Sequence, residues 1–451
     1  MTEPEKQKKL FGTNGVRAVV GKEMTPELVM GIGMALGSMR KGKIAVGMDT
    51  RTSGPALCSA LKAGLLACGC DVVDMGVLPT PALQYLVKHH FDAGAVITAS
   101  HNPPEYNGVK VIEGDGTEMD DEQTIKLEER LFSKDFNLVD WENVGTETSS
   151  PEMTGEYIHS ITSAFPDSTE TGFTVAIDPG SGPACLTTPD ILTKLGCRVH
   201  TINGQTDGRF PGRLPEPSPE GLKALSELVI STGAAFGVAH DGDADRAVFV
   251  DENGDFLEEN EEFALMQRFA CKGKKGTVVT PVSTSQLVEA IAAETGTRVE
   301  YTRVGSIYVA RKMLELSENG ENVLFGGEGN GGLIFPAHQH CRDGGMTAAV
   351  MVHILKNEKK TLSELRKELP SHHMIKDKIF TTDARALLEK LKTYFASDRL
   401  DTTDGVRINR EKSWALFRPS GTEPFMRLYV EAENIEGAKF LYNEIMNTIN
   451  N

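Results

Sequence analysis

Short apolar runs recur along the chain, each ending in a polar or glycine-bearing loop and followed by a stretch of helical periodicity. Ile44 to Met48 ends at Asp49-Thr50-Arg51-Thr52-Ser53-Gly54, Pro55 to Cys68 reads as a helix, and Asp71 to Met75 is the next apolar run. Runs of this length, bounded by turn residues and separated by a helix, are the grammar of strand–helix–strand units. The pattern returns at Thr174 to Gly180 with a following run at Cys197 to Ile202, and again at Thr277 to Pro281 with a helix from about Gln286. Three α/β units are therefore expected, and their unequal spacing argues for a duplicated domain rather than a solenoid. From about Ile379 the pattern changes to a helix (Ala384 to Phe395), strands around Gly405 to Asn409, Ser413 to Arg418 and Met426 to Glu431, and a closing helix. That predicts a smaller α+β domain.

Linkers are expected near Ser149 to Pro151, around Asp251 to Gly254 and across Glu368 to Lys376. They divide the chain into domains at 1–150, 151–252, 253–370 and 371–451. The last linker makes the C-terminal domain the candidate moving element.

The 451-residue length suits several domains of about 100 to 200 residues each. A hydrophobic content of 39% with 25% charged residues is ordinary for a globular protein. No apolar stretch approaches the roughly 20 residues of a membrane helix. The opening MTEPEKQKKL lacks the apolar core of a signal peptide, so a cytoplasmic location is expected. Seven scattered cysteines without a CxxC pair read as reduced thiols. His338, His340 and Cys341 form a tight polar cluster but lack a second ligand pair for a metal. A net charge of −17 excludes nucleic acid and anionic membranes as main partners, so an anionic substrate must be held by local Arg and Lys. Composition leaves the oligomeric state open, a homodimer included.

Four loops carry candidate chemistry. Thr98-Ala99-Ser100-His101-Asn102-Pro103-Pro104 follows the apolar run Ala93 to Ile97, so a buried strand presents a hydroxyl on a proline-braced loop. Asp241-Gly242-Asp243-Ala244-Asp245-Arg246 sets three carboxylates at alternate positions between two apolar runs, a set of hard oxygen donors suited to Mg²⁺ or Ca²⁺. An EF-hand is the competing reading, but its sixth position requires Gly where this chain has Arg246, and the flanks are strand-like. Arg246 is placed to hold an anion beside the metal. Gly326 to Gly332 combines five glycines with Glu328 and Asn330, a loop suited to paired sugar hydroxyls. Arg418-Pro419-Ser420-Gly421-Thr422-Glu423-Pro424 joins a guanidinium, two hydroxyls and a glycine in the manner of a phosphate cradle.

Together, in this order, the loops resemble those of the α-D-phosphohexomutase family, from Leu10 to about Asn447. The resemblance implies three related α/β domains with mixed sheets and a smaller C-terminal α+β domain around a central cleft. TASHNPPEYNGVK is similar to the family's phosphoserine loop, which makes Ser100 the phosphorylated residue. DGDADR is similar to its Mg²⁺ loop, implying Asp241, Asp243 and Asp245 as ligands together with an oxygen on Ser100. RPSGTEP is similar to the distal phosphate loop and carries over Arg418, Ser420, Gly421 and Thr422, with Arg427 close behind. FGTNGVR, ending at Arg17, and Lys110 are similar to the family's basic groups facing the catalytic phosphate. The implied activity interconverts hexose 6-phosphates and 1-phosphates, with hexose 1,6-bisphosphate as activator. Glucosamine phosphate is the leading substrate, with glucose or mannose phosphate the alternative.

One departure stands out. Bacterial members commonly end the sugar loop in Ser-Gly-His, where this chain has Asn330, Gly331 and Gly332. Without that histidine the proton acceptor is open among His101, Lys110, His338 and His340.

Overall fold

In a computed structural model, residues 8–166, 171–381, 383–419 and 425–450 are described. The three α/β units share one arrangement. In the first, strand Lys43–Met48 lies between Asp71–Val77 and Ala93–Ile97, all parallel. In the second, Thr174–Asp178 lies between Arg198–Thr201 and Phe236–His240. In the third, Thr277–Pro281 lies between Arg298–Thr302 and Val323–Glu328. The first strand of each unit is thus central, and helices such as Gly54–Ala67 and Leu287–Thr295 make the crossovers that parallel neighbours require.

Mixed character enters through antiparallel strands. Tyr106–Glu113 pairs antiparallel with Ala93–Ile97 and then with Val16–Val19, and Ala247–Asp251 pairs antiparallel with Phe236–His240. The serine loop and the aspartate loop each occupy the connection from the third parallel strand to its antiparallel neighbour. Both parallel strands feeding these loops are wholly buried, which explains their unbroken apolar runs.

The C-terminal unit is a five-stranded antiparallel sheet backed by helices Ala384–Tyr394 and Ile435–Asn450. Along Ser413–Pro419, Ala415 and Phe417 face the helices, while Trp414 and Leu416 pack with Val282, Tyr301 and Val304 of the third α/β unit. Arg407 donates to the Val282 carbonyl at 2.8 Å, with its guanidinium 4.9 Å from the Tyr301 ring and 4.3 Å from the Trp414 ring. The small domain is therefore seated on a buried joint and does not hang from a bare linker. Strand His373–Phe380 also begins inside the segment that reads as a linker and takes up its last residues, with exposure alternating as one packed face dictates. Likewise, Gly326, Gly327 and Glu328 belong to a strand, so the glycine-rich loop shrinks to a short turn. A Cβ at Gly326 would lie 2.4 Å from the Val279 carbonyl of the adjacent strand, so close backbone approach explains that glycine. Among the described residues no helix is long and apolar enough to cross a membrane.

Candidate active site

Ser100 leaves its buried strand with φ at +49°. A left-handed conformation costs a non-glycine residue about 1–2 kcal/mol and persists only where neighbours hold it. The Ser100 N–H donates to Thr98 Oγ1 at 2.9 Å, and Thr98 Oγ1 donates to Asp49 Oδ2 at 2.7 Å. Arg51, buried and 3.0 Å from Asp49 Oδ2, donates to the carbonyls of Ser100, Asn102, Pro103 and Tyr106 at 2.8, 2.6, 2.6 and 2.9 Å. One rigid fork thus fixes the whole serine loop. In the sequence Asp49 to Gly54 reads only as the end of a strand. The local signal is an Asp and an Arg two residues apart at a buried strand's C-terminal end.

The aspartate loop meets the serine loop directly. Ser100 Oγ donates to Asp241 Oδ2 at 2.8 Å. A Cβ at Gly242 would lie 2.3 Å from the Ser100 carbonyl, so this approach needs glycine. Asp241, Asp243 and Asp245 are buried, with one oxygen from each gathered within 4.8 Å of the others. Lys110 donates to Asp243 Oδ2 at 2.8 Å and to Asp245 Oδ2 at 3.1 Å. Thr80 Oγ1 donates to Asp243 Oδ2 at 2.7 Å, and Arg342 donates to Asp245 Oδ2 at 2.6 Å. Asp243 Oδ1 and Asp245 Oδ1 accept no hydrogen bond.

Burial pushes each carboxyl up, but the balance differs. Asp241 ends well above the usual range because Asp245 and Asp243 add to its burial. Lys110 overcomes burial at Asp243 and holds it low, and Arg342 is foremost in doing the same at Asp245. Buried carboxylate oxygens without a donor are costly, and a cation satisfies them. All-oxygen donors, clustered and carrying net negative charge, fit a hard divalent ion such as Mg²⁺. Among the described residues this triad alone gathers three or more His, Cys, Asp or Glu ligand atoms so closely. The His338 to Cys341 cluster does not: the His338 ring stacks on Tyr85 at 5.1 Å, and its Nε2 lies 3.3 Å from Asp343.

Basic groups surround the triad. Arg17 NH1 donates to Asn102 Oδ1 at 3.3 Å, while its Nε and NH2 are buried without a hydrogen-bond partner. Arg246 pairs with Glu216 at 3.1 Å and lies 3.2 Å from His101 Nδ1. Burial, then Arg246 and Arg17, push His101 down to about 3, so its imidazole is neutral at ordinary pH. Lys110 is opposite in kind: burial lowers its pKa, but Asp243 and Asp245 outweigh that and keep it charged. It cannot accept a proton while so paired. Burial pushes His340 down to about 4.

The remaining candidate residues belong to other segments of the chain. Glu328 ends its strand with its side chain buried. Asn330 Oδ1 accepts the Gly332 N–H at 3.1 Å, so that oxygen shapes the turn. Arg418 and Arg427 are register partners on adjacent strands, and Arg418 lies 3.2 Å from Asp404. Ser420, Gly421 and Thr422 lie outside the described residues. Arg51, Thr80 and Arg342 join the site without being among the residues expected from the sequence. Thr80 and Arg342 reach the triad from distant segments, with no local pattern to reveal them.

Residues 8–138, 155–254, 258–373 and 374–447 match, in turn, the α/β/α domains I, II and III and the C-terminal domain of phosphoglucomutase/phosphomannomutase. A phosphoglucomutase/phosphomannomutase of Thermococcus kodakarensis is 43% identical over 96% of each chain. A phosphoglucosamine/phosphogalactosamine mutase of Sulfurisphaera tokodaii is 39% identical over 97% of this chain and 98% of its own. The crystal structure of a phosphoglucomutase/phosphomannomutase family protein from Burkholderia thailandensis superposes with a TM-score of 0.86, at 26% identity and 98% coverage of both chains. With all four domains matched in order and relatives of about this identity along nearly its whole length, the chain belongs to the phosphoglucomutase/phosphomannomutase family and is a phosphohexomutase, an isomerase that moves a phosphoryl group within its substrate.

Proposed function

We propose that this cytoplasmic enzyme interconverts glucosamine 6-phosphate and glucosamine 1-phosphate through a phosphoserine at Ser100. The observation that carries the reading is the strained Ser100, its hydroxyl 2.8 Å from Asp241 at the edge of a buried carboxylate triad. Asp241, Asp243 and Asp245, with an oxygen on Ser100, would hold Mg²⁺. The ion supplies Lewis-acid neutralisation of phosphoryl charge.

The sugar hydroxyl oxygen attacks phosphorus, the bond from phosphorus to Ser100 Oγ breaks, and the hydroxyl proton leaves to a base. His101 is assigned that role by its place beside the serine; held down to about 3 by burial, Arg246 and Arg17, it becomes an effective base only once the phosphoryl dianion offsets those two charges. Arg17, Lys110 and Arg246 offset charge on the phosphoryl oxygens, since phosphoryl transfer depends chiefly on position and neutralisation. The hexose 1,6-bisphosphate then turns end for end, and Ser100 takes back the other phosphate. The same bisphosphate supplied from outside primes the serine. Glu328 and Asn330 are assigned to sugar hydroxyls, and Arg418, Ser420, Gly421, Thr422 and Arg427 to the distal phosphate.

Two relatives support different sugars. The Sulfurisphaera protein is named for amino sugars, and the Thermococcus protein for glucose and mannose phosphates. ³¹P NMR with Mg²⁺ and a trace of hexose bisphosphate, run separately on glucosamine, glucose and mannose 6-phosphates, decides between them. A 1-phosphate signal growing fastest from glucosamine 6-phosphate supports the proposal. Faster conversion of glucose or mannose makes it a general hexose phosphate mutase. Free phosphate alone would identify a phosphatase, and no reaction a binding paralogue.

A further inference from the structure

Position 332, where this chain departs from the resemblance, is glycine for a reason that backbone conformation does not supply. Gly331 has φ at +78°, whereas Gly332 is not among the positive-φ residues. What excludes a side chain at 332 is space. A Cβ there would lie 2.4 Å from Arg342 Cδ and 3.0 Å from Asn330 Oδ1. The stem of Arg342 occupies that volume, and its guanidinium continues to Asp245 Oδ2 at 2.6 Å and toward Asn14 Oδ1 at 3.5 Å.

Arg342 has little freedom to go elsewhere. Its backbone forms an antiparallel bridge with Ile334, and the Asp343 N–H donates to the Leu333 carbonyl at 3.0 Å. Asp343 is itself clamped, accepting from Tyr157 at 2.6 Å, Gln339 at 2.7 Å and the Met346 N–H at 2.9 Å. The Gly344 N–H donates to the Ala244 carbonyl inside the aspartate loop at 3.2 Å. The segment carrying Arg342 is therefore fixed to the same loop that its side chain reaches.

We infer that Gly332 and Arg342 act as a pair, the absent side chain at 332 admitting a guanidinium that orients Asp245 and adds permanent positive charge to the phosphoryl site. The inference rests on the phosphohexomutase reading of that site. Arg342 and Lys110 both bond Asp245 Oδ2, which leaves Oδ1 as the oxygen for the cation. A guanidinium cannot serve as a base near neutral pH, so at this place the chain holds a fixed charge that favours a dianionic phosphate and no proton acceptor. The same charge opposes a divalent ion.

Mn²⁺ binding measured by electron paramagnetic resonance tests this alongside turnover, in the intact enzyme and in Arg342→Ala, Arg342→Lys, Gly332→Ala and the double Ala variant. Arg342→Ala is expected to bind Mn²⁺ at least threefold more tightly while kcat falls at least thirtyfold. Arg342→Lys should restore Mn²⁺ affinity to within twofold. Gly332→Ala, whose methyl displaces the arginine, should move both readouts in the same direction and add nothing in the Arg342→Ala background. Unchanged or weaker Mn²⁺ binding in Arg342→Ala, or additive effects in the double variant, overturns the pairing. If Gly332→Ala does not fold, the Ala and Lys variants at 342 decide alone. Should the intact enzyme turn over no hexose phosphate, the functional reading fails while the Mn²⁺ measurements still judge the pair.

Discussion

The serine loop of the first domain and the aspartate loop of the second are held by the same device, supplied in two ways. A buried aspartate stands at the end of each central strand, Asp49 just after the first and Asp178 closing the second, and each holds a buried arginine: Arg51 grips carbonyls of the serine loop, and Arg213 grips the carbonyl of His240 at the foot of the aspartate loop. In the first domain the arginine is Arg51, two residues from its partner, and it binds four carbonyls from Ser100 to Tyr106. In the second it is Arg213, far along the chain, which binds the carbonyls of Asp178, Leu214 and His240 at 3.1, 3.0 and 2.6 Å. His240 precedes the first aspartate of the triad. Each loop also carries one strained non-glycine residue, Ser100 with φ at +49° and Ala244 at +61°. The common lesson is that a buried guanidinium can hold an unfavourable loop by its backbone, leaving the side chains free for chemistry. The difference is how much loop depends on it.

Removing the first brace should have the largest effect. Arg51→Met leaves Asp49 buried without its cation and takes a donor from four carbonyls between Ser100 and Tyr106, of which Pro103 keeps the Tyr106 N–H at 3.1 Å. A broken buried pair costs about 3–5 kcal/mol, and this site belongs near the upper end. Denaturant unfolding should show that loss, with turnover abolished. Arg213→Met should cost nearer about 3 kcal/mol, because Asn203 still donates to Asp178 at 3.1 Å and fewer loop carbonyls are orphaned. If the Arg213 variant were the less stable of the two, the number of carbonyls held would not be what ranks the braces.

The comparison also shows what the sequence can reveal. The parallel strands were legible because burial on both faces forces continuous apolar runs, and the triad because three alternating carboxylates in a turn have few other uses. Arg51 was legible in principle, since its partner is local. Arg213, Thr80 and Arg342 were not, because each joins the site through tertiary contact and nothing in its neighbours marks it. Strand His373–Phe380 was hidden for another reason: an edge strand exposes alternate residues and so resembles a polar linker. The joint made by Trp414 and Arg407 escaped notice because a sheet buried on both faces gives no separate signal for its second face.

A smaller effect separates the functions of the two loops. Asp243→Asn keeps volume but removes one ligand charge, and isothermal titration should show Mg²⁺ affinity falling at least tenfold, about 1.4 kcal/mol. The serine loop should keep its conformation, because none of the bonds from Arg51 involves Asp243. An unchanged titration would remove Asp243 from the ligand set and leave Lys110 and Thr80 as its reason for being there.

The smallest effect tests whether the serine is held against its preference. Ser100→Ala and Ser100→Gly both delete the nucleophile, so both should lose turnover, yet their stabilities should differ. Alanine keeps the strain of φ at +49°, whereas glycine adopts that conformation without steric cost. Glycine also gives the unfolded chain more freedom, which offsets part of the gain. The balance predicts Ser100→Gly to be more stable than Ser100→Ala by up to about 1 kcal/mol, measured as a shift in denaturation midpoint at constant slope. An alanine variant equal to or more stable than the glycine variant would mean that the loop carries no stored strain at its nucleophile, and that Arg51 merely stabilises a conformation the serine already favours.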